Sequence, residues 1–325
     1  MSTRANQKAS QVVSLRPLAA SNFLSVLDLG PGEIDRVLEQ AAAFKRDRGA
    51  RKAADRPLAG LHVALLFDKP SLRTRSTFTI AVRELGGEVI EPTPEVAFGG
   101  RESVEDVARN LERWVAGAVV RTFAQAKLER FAAAAPTLRV INALTDEEHP
   151  CQALADMLAL REAIGPLAGR TLAYVGDGNN VATSLAHAGA MLGMHVRVAS
   201  PAGFELPDAV VAESRQVARD GGTVEVLNDP VEAVRGADAV YTDVWASMGQ
   251  ESQAEGRARV FRPYQVNAEL MTAAGPRALF MHCLPAHRGA EVTDEVMDSP
   301  ASIVFEQAEN RLHTQKALLA LLIGR

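Results

Sequence analysis

Cysteine is almost missing from this chain: Cys151 and Cys283 stand alone and far apart. Without a CxxC pair or a nearby cluster of His and Cys, neither a zinc site nor a disulfide framework is indicated. A reducing, cytoplasmic setting is expected. Long apolar runs are missing too. None approaches the ~20 residues that cross a bilayer, and Leu318–Ile323 reads as the end of a C-terminal helix. No long basic run occurs and the net charge is −5, so no nucleic-acid footprint is advertised. Any anionic ligand must be handled by a few local arginines. No acidic residue precedes Asp28, a bias shared by organellar transit peptides. A short tail is the commoner reading of such a segment, and the apolar core of a secretory signal is not there.

What is present is the balance of an ordinary soluble globular protein: 325 residues, 47% hydrophobic and 23% charged. That length suggests about two domains. Short apolar runs alternate with helix-like segments. LHVALLF (61–67) precedes a helical SLRTRSTFTIAVRELG, then GEVIEP reads as a strand. ESVEDVARNLERW is amphipathic, with Val104, Val107, Leu111 and Trp114 on one face. AVVRTF and LRVINAL follow as strands, and PCQALADMLALREAIG as a helix. A second series opens with RTLAYVG (170–176) and a helix over NNVATSLAHAGAMLG, and continues through HVRVAS, TVEVL, AVYTDVW and ALFMHCLP. Strands alternating with helices imply right-handed crossovers and parallel sheets. The fold class is therefore α/β, with two doubly wound parallel-sheet domains joined near the helix that starts at Pro150. The final helix, roughly 303–323, could belong to either half.

In open parallel sheets, ligands bind in the loops beyond the carboxyl ends of the strands. Those loops hold most of the unusual chemistry. In FDKPSLRTR (67–75), Pro70 suits a helix start, so Ser71 to Thr74 are expected in the first turn, where free N–H groups and the helix dipole favour an anion. Arg73 can grip phosphate oxygens in a bidentate fork. Solvated arginines behind a capping serine are the plainer alternative, but the strand–turn–helix context favours an anion site. Arg121 ends the run GAVV and aims at the same crevice. His149 and Gln152, at a helix entrance, are neutral donors suited to a polarised carbonyl. VGDGNN is a weak nucleotide fingerprint, because Val181 stands where GxGxxG needs its third glycine. Asn179 and Asn180 can cap the helix or present amides to a zwitterion. Asp243 can accept from an ammonium, Ser247 and the backbone near Met248 can bind a carboxylate, and Cys283 closes the last strand. A strand-end thiol is more often packing than nucleophile.

Together SLRTR (71–75), ESVEDVARN (102–110), HPCQ (149–152), GDGNN (176–180), DVWASMG (243–249), HCLPAHRG (282–289) and EQAENRLHTQKALL (306–319) resemble the transcarbamylase family, its ornithine branch in particular. They fall in order across roughly residues 60–320. The resemblance implies a carbamoyl phosphate-binding domain over 1–150, with a C-terminal helix of about 312–325 returning to it, and an ornithine-binding domain over 151–311. It implies carbamoyl transfer from carbamoyl phosphate to the side-chain amine of L-ornithine, giving L-citrulline and phosphate, in arginine biosynthesis or in the reverse, catabolic direction. No metal and no organic cofactor is implied. The expected assembly is a homotrimer or a multiple of trimers, without nucleic-acid or membrane partners.

Carried over by position, Ser71, Leu72, Arg73 and Thr74 resemble the phosphate cradle, and Arg121, His149 and Gln152 the other carbamoyl phosphate contacts. Asn180, Asp243, Ser247 and Met248 match the ornithine site. Cys283, Leu284 and Arg311 match the family's closing residues, and Cys283 is expected to contact substrate, not to attack it. Two positions depart from the pattern. Leu72 replaces a common threonine, although its N–H can still serve. Ala97 occupies the place of a glutamine that reaches carbamoyl phosphate from a neighbouring subunit, which implies weaker binding or a substitute donor such as Arg101. A nucleotide-dependent oxidoreductase would need the glycine fingerprint and acidic ribose ligand that are missing. A catalytically silent paralogue would explain Ala97, but not the otherwise intact loops. Close analogues of ornithine stay open.

Overall fold

The computed structural model describes residues 16–30, 32–48, 56–69, 71–98, 100–246 and 254–324. The first half runs α1 (Glu33–Arg46), β1 (His62–Phe67), α2 (Arg73–Glu84), β2 (Glu88–Ile90), α3 (Pro94–Ala97), α4 (Val104–Glu112), β3 (Gly117–Arg121), α5 (Gln125–Ala134) and β4 (Arg139–Leu144). Helix α6 (Pro150–Ile164) then leads to the second half. That half holds β5 (Thr171–Val175), α7 (Asn180–Met191), β6 (His195–Ala199), α8 (Asp208–Val217), β7 (Thr223–Leu227), α9 (Pro230–Val234) and β8 (Ala239–Thr242). It ends with α10 (Ala254–Phe261), α11 (Ala268–Ala274), β9 (Leu279–His282), α12 (Asp294–Met297) and α13 (Val304–Leu322).

Both sheets are parallel. Their strand orders are β2-β1-β3-β4 and β7-β6-β5-β8-β9. Helices cover both faces, so the central strands β3 and β5 read as unbroken apolar runs and are buried along their whole length. In each sheet the chain reverses its direction of winding once, between β1 and β3 and between β5 and β8. The carboxyl ends there are Phe67 beside Arg121, which are in register, and Val175 beside Thr242. Ligand crevices open at such switch points.

Two helices hold the halves together. Every residue of α6 from Pro150 to Leu160 is buried, and one hydrophobic cluster runs from Leu65 of β1 through Leu154 and Met157 to Leu172 and Tyr174 of β5. Helix α13 packs back on α1 and α2 of the first half and on the connecting α6, while touching β9 of the second half. It is buried almost throughout despite carrying Asn310, Arg311, His313, Gln315 and Lys316. Near its end, Leu321 O accepts from the Leu18 N–H at 3.1 Å.

Three local expectations change. Helix α2 begins at Arg73, with Leu72 as its flanking residue and Ser71 before it, so the first turn starts later than the proline suggested. Pro70 itself lies outside the described residues. Helix α4 stops at Glu112; Trp114 is 66% exposed, and Val115 turns inward in its place. The glycines of VGDGNN answer to backbone conformation at Gly176 and to packing at Gly178. Gly176 has a φ of +147°, and a methyl on Gly178 would meet the Glu205 carbonyl carbon at 2.5 Å, because residues 204–206 cross over it. Gly178→Ala should therefore cost about 1–3 kcal/mol through overpacking, read as a lower denaturant midpoint with an unchanged m-value.

Candidate active site

The first half contributes the ends of β1, β3 and β4. Thr74, in the first turn of α2, is buried, and its hydroxyl accepts from Arg311 Nη2 at 2.9 Å. Arg311 reaches it from α13, and its other terminal nitrogen donates to Gln152 Oε1 at 2.5 Å. Gln152 is thus turned with its oxygen toward the guanidinium, while its Nε2 donates to Asp156 at 2.8 Å. The expectation of a simple amide donor is corrected to that extent: the acidic neighbour claims one of its N–H groups. His149 flanks the start of α6, its backbone N–H donating to Ser184 Oγ at 2.9 Å. Leu72 points its side chain into solvent, 78% exposed, so only its backbone can face the crevice.

The electrostatics are unusual. Arg121 and Arg311 are 7% and 2% exposed, and Arg73 is half-buried. Among the described residues none of the three is paired with a carboxylate, and the Nε atoms of Arg121 and Arg311 have no hydrogen-bond partner. Burial, then the charges of Arg311 and Arg73, push Arg121 down to about 10. Burial likewise lowers Arg73 and Arg311. His149 is held well below the usual imidazole range, first by burial and then by Arg311, Arg121, Arg73 and Lys69, so the ring is neutral. Its Nδ1 has no partner. Lys69, which the loop pattern did not single out, is buried, lies 4.1 Å from the Phe123 ring centroid and pairs with Asp146 at 2.6 Å. Proteins rarely leave buried guanidinium groups without counter-charge, because desolvating a cation costs several kcal/mol. Such a cluster marks a place for an anion.

The second half supplies the facing wall. Asp243 follows β8, is 6% exposed, and accepts from the Cys283 thiol at 2.9 Å and from Asn179 Nδ2 at 2.9 Å. Burial, then Asp243 itself, pushes the Cys283 thiol well above its ordinary value, so it stays protonated. Asn179 also caps α7, its Oδ1 accepting from Val181 N at 2.9 Å. The sequence offered both asparagines; the structure gives the cap and the Asp243 contact to Asn179. Asn180 instead donates to Thr145 O at 2.6 Å, tying the second half to the loop after β4. Leu284 has a φ of +59°, and its N–H donates to His282 Nδ1 at 2.8 Å. Ser247 and Met248 lie outside the described residues. The bond from Asn180 to Thr145 O holds the second wall against the first.

Asp243, His282 and Cys283 present ligand atoms within 4.8 Å of one another. Both nitrogens of His282 are engaged, Nδ1 with Leu284 N and Nε2 with Glu291 Oε1 at 3.2 Å, so a cation there would have to break an existing contact.

Residues 21–162 match the family profile for the aspartate/ornithine carbamoyltransferase carbamoyl-P binding domain, and residues 168–322 match its Asp/Orn binding domain. The chain is 51% identical over 308 residues to an ornithine carbamoyltransferase of Parafrankia sp., covering 94% of this chain and 97% of that protein. It is 50% identical to one from Parasynechococcus marenigrum, over 98% of this chain and 99% of the relative. Among solved structures, ornithine carbamoyltransferase from Pyrococcus furiosus superposes with a TM-score of 0.90 at 48% identity, covering 96% of this chain and 99% of that one. The Gloeobacter violaceus enzyme gives 0.83 at 48% identity, covering 94% and 99%. With both profiles matched in order and half the residues identical along nearly the full length, the chain belongs to the aspartate/ornithine carbamoyltransferase family.

Proposed function

We propose that this enzyme transfers the carbamoyl group of carbamoyl phosphate to the side-chain amine of L-ornithine, releasing L-citrulline and phosphate. The observation that carries the reading is the trio Arg73, Arg121 and Arg311, without a carboxylate partner among the described residues, at the opening of α2. A phosphate dianion relieves their mutual repulsion, and the backbone N–H groups of Ser71 and Leu72, just before α2, and of Thr74 in its first turn supply further donors. As the neutral amine adds to the carbamoyl carbon, charge grows on the carbonyl oxygen; as the carbon–oxygen bond to phosphate then breaks, charge passes to the departing phosphate, which takes up the proton that the amine loses. Thr74 with a neutral His149 polarises the carbonyl, and the arginines meet the charge on the phosphate. Gln152 orients the carbamoyl group through the amide that Arg311 and Asp156 hold in place.

Asp243 is assigned to the free α-amino group of ornithine, with Ser247 and Met248 at its carboxylate. Asn180 is assigned to the same wall, where it braces the loop next to His149. The attacking amine must be neutral, although a free alkylamine has a pKa of about 10.4; three nearby guanidinium groups favour the neutral form. Cys283 and Leu284 line the meeting point of the substrates. A thiol held protonated against Asp243 is a contact and not a nucleophile. Near-attack placement of two small substrates can supply ~7–11 kcal/mol, so no covalent intermediate is needed.

The carbamoyl phosphate domain is taken as residues 1–150 with the returning C-terminal helix, and the ornithine domain as 151–311. Ala97 is buried among Leu66, Ala108 and other core residues and its side chain offers no donor; Arg101 in the same loop is exposed. Homotrimeric assembly, a cytoplasmic setting and a place in arginine metabolism complete the proposal. Among the described residues no helix is long and apolar enough to cross a membrane.

The primary test is citrulline formation from the two substrates. Arg73→Ala should lower kcat by about 10²–10³-fold, as loss of one transition-state contact does, and wild-type-like turnover would refute its role. Asp243→Asn should raise the ornithine KM by roughly tenfold or more while leaving the carbamoyl phosphate KM near wild type, since a charged contact is worth about 1.5–3 kcal/mol; equal effects on both would move the amine site elsewhere. Light scattering should give a mass of three chains or a multiple of three, and a monomer would count against the assembly.

A further inference from the structure

Asp156 lies at the middle of α6 with no exposed surface, in a stretch of helix buried on every side. Among the described residues it has no ion-pair partner. A lone carboxylate in such a place is expensive, so its contacts need a reason. It accepts three hydrogen bonds, each from a different element. Oδ1 takes Gln152 Nε2 at 2.8 Å and Gln307 Nε2 at 2.8 Å, and Oδ2 takes the Tyr241 hydroxyl at 3.0 Å.

An ionised carboxylate only accepts, so it dictates which end of each amide faces it. With both Nε2 atoms turned inward, both Oε1 atoms must face outward. Gln152 Oε1 then meets Arg311 Nη1 at 2.5 Å, and Arg311 Nη2 goes on to Thr74 Oγ1. Gln307 Oε1 meets the His282 N–H at 3.0 Å, one residue before Cys283. The Tyr241 ring stacks on Tyr174 with centroids 5.8 Å apart, and the Tyr174 hydroxyl donates to Asn179, the residue that holds Asp243. Turning either amide over would set an NH2 against a guanidinium or a backbone N–H, and an oxygen against the carboxylate.

We propose that Asp156 is the positioning residue that orders both half-sites at once, by fixing the Gln152 and Gln307 amides and the Tyr241 hydroxyl. This deepens the proposed reaction and rests on it. One buried group thereby sets Arg311 and Thr74 on the carbamoyl phosphate side and Cys283 and Asp243 on the amine side. Its action depends on its charge. The titratable groups that face it are Arg311 from α13, Tyr241 from β8 and Cys283 beyond β9. Burial outweighs the hydrogen bonds and Arg311, and raises its pKa to about 6. Above that pH it is ionised and accepts from all three donors. Below it, the added proton needs an acceptor that only the Tyr241 oxygen can supply, and the Tyr241 hydrogen loses its place.

The test compares wild type, Asp156→Asn and Tyr241→Phe as full-length enzymes, with circular dichroism and melting as folding controls. In wild type, kcat should fall on the acid side with an apparent pKa near 6. Asp156→Asn should lower kcat at least tenfold, raise the KM of both substrates, and remove the inflection near 6 from the acid limb, leaving only the slope due to protonation of the attacking amine. Tyr241→Phe removes one donor to the carboxylate, so its acid limb should move to higher pH, a shift that simple loss of packing does not give. Should the asparagine variant not fold, the Tyr241→Phe limb decides alone. An unmoved limb in that variant, or a folded Asp156→Asn with wild-type kcat and pH profile, overturns the inference. Absence of citrulline from wild type is a separate outcome: it removes the functional reading, and this inference with it.

Discussion

Like-charge repulsion among three arginines is the constraint around which the site is organised. Arg121 comes from the switch point of the first sheet, Arg73 from the helix entered there, and Arg311 from the far end of the chain. Arg121 and Arg311 have given up almost all their water and Arg73 part of it, and among the described residues none has gained a carboxylate, a condition that buried cations tolerate only where something else later balances them. Burial first, and then the same positive charges, keep His149 neutral, and those charges disfavour a protonated amine nearby. A site of this kind selects a dianion first and a neutral nucleophile second, from one arrangement of charge.

Holding the charges in place falls to structure that spans both halves. Asn180 bonds to Thr145 O, and Ser184 accepts from His149 N while its hydroxyl donates to Glu148. Glu148 in turn accepts from the Ser25 hydroxyl and, at 3.3 Å, from Val26 N. The loop that carries His149 is therefore gripped from the N-terminal segment on one side and from α7 on the other. Rigid seating of this kind suits a reaction that relies on placement and electrostatics.

The strands and the loops that follow them were readable because central parallel strands are unbroken apolar runs, and because ligands gather at their carboxyl ends. Every described loop residue assigned to the crevice lies at such an end or on α6 or α13. The helix entrance was misjudged by about two residues, since propensity at Pro70 says nothing about where the hydrogen-bond ladder begins. Trp114 was misplaced because a helical period extends past the point where the chain actually turns. Asp156, Lys69 and the division of labour between Asn179 and Asn180 were not legible at all. Their roles are set by partners such as Gln307, Asp146 and Asp243, which no periodic pattern connects to them.

Helix α13 has a consequence for how the molecule comes into being. The elements it packs against most extensively, α1, α2 and α6, precede it along the chain, as does β9. During synthesis both sheets can therefore collapse while its seat is still bare and Thr74 and Gln152 still lack the guanidinium that bridges them. Nascent chains would be compact but unable to grip substrate until residues 304–322 emerge and dock. Docking of that helix is what joins Thr74 to Gln152 through one guanidinium, and until it docks the faces of α1, α2 and α6 that it covers stay bare.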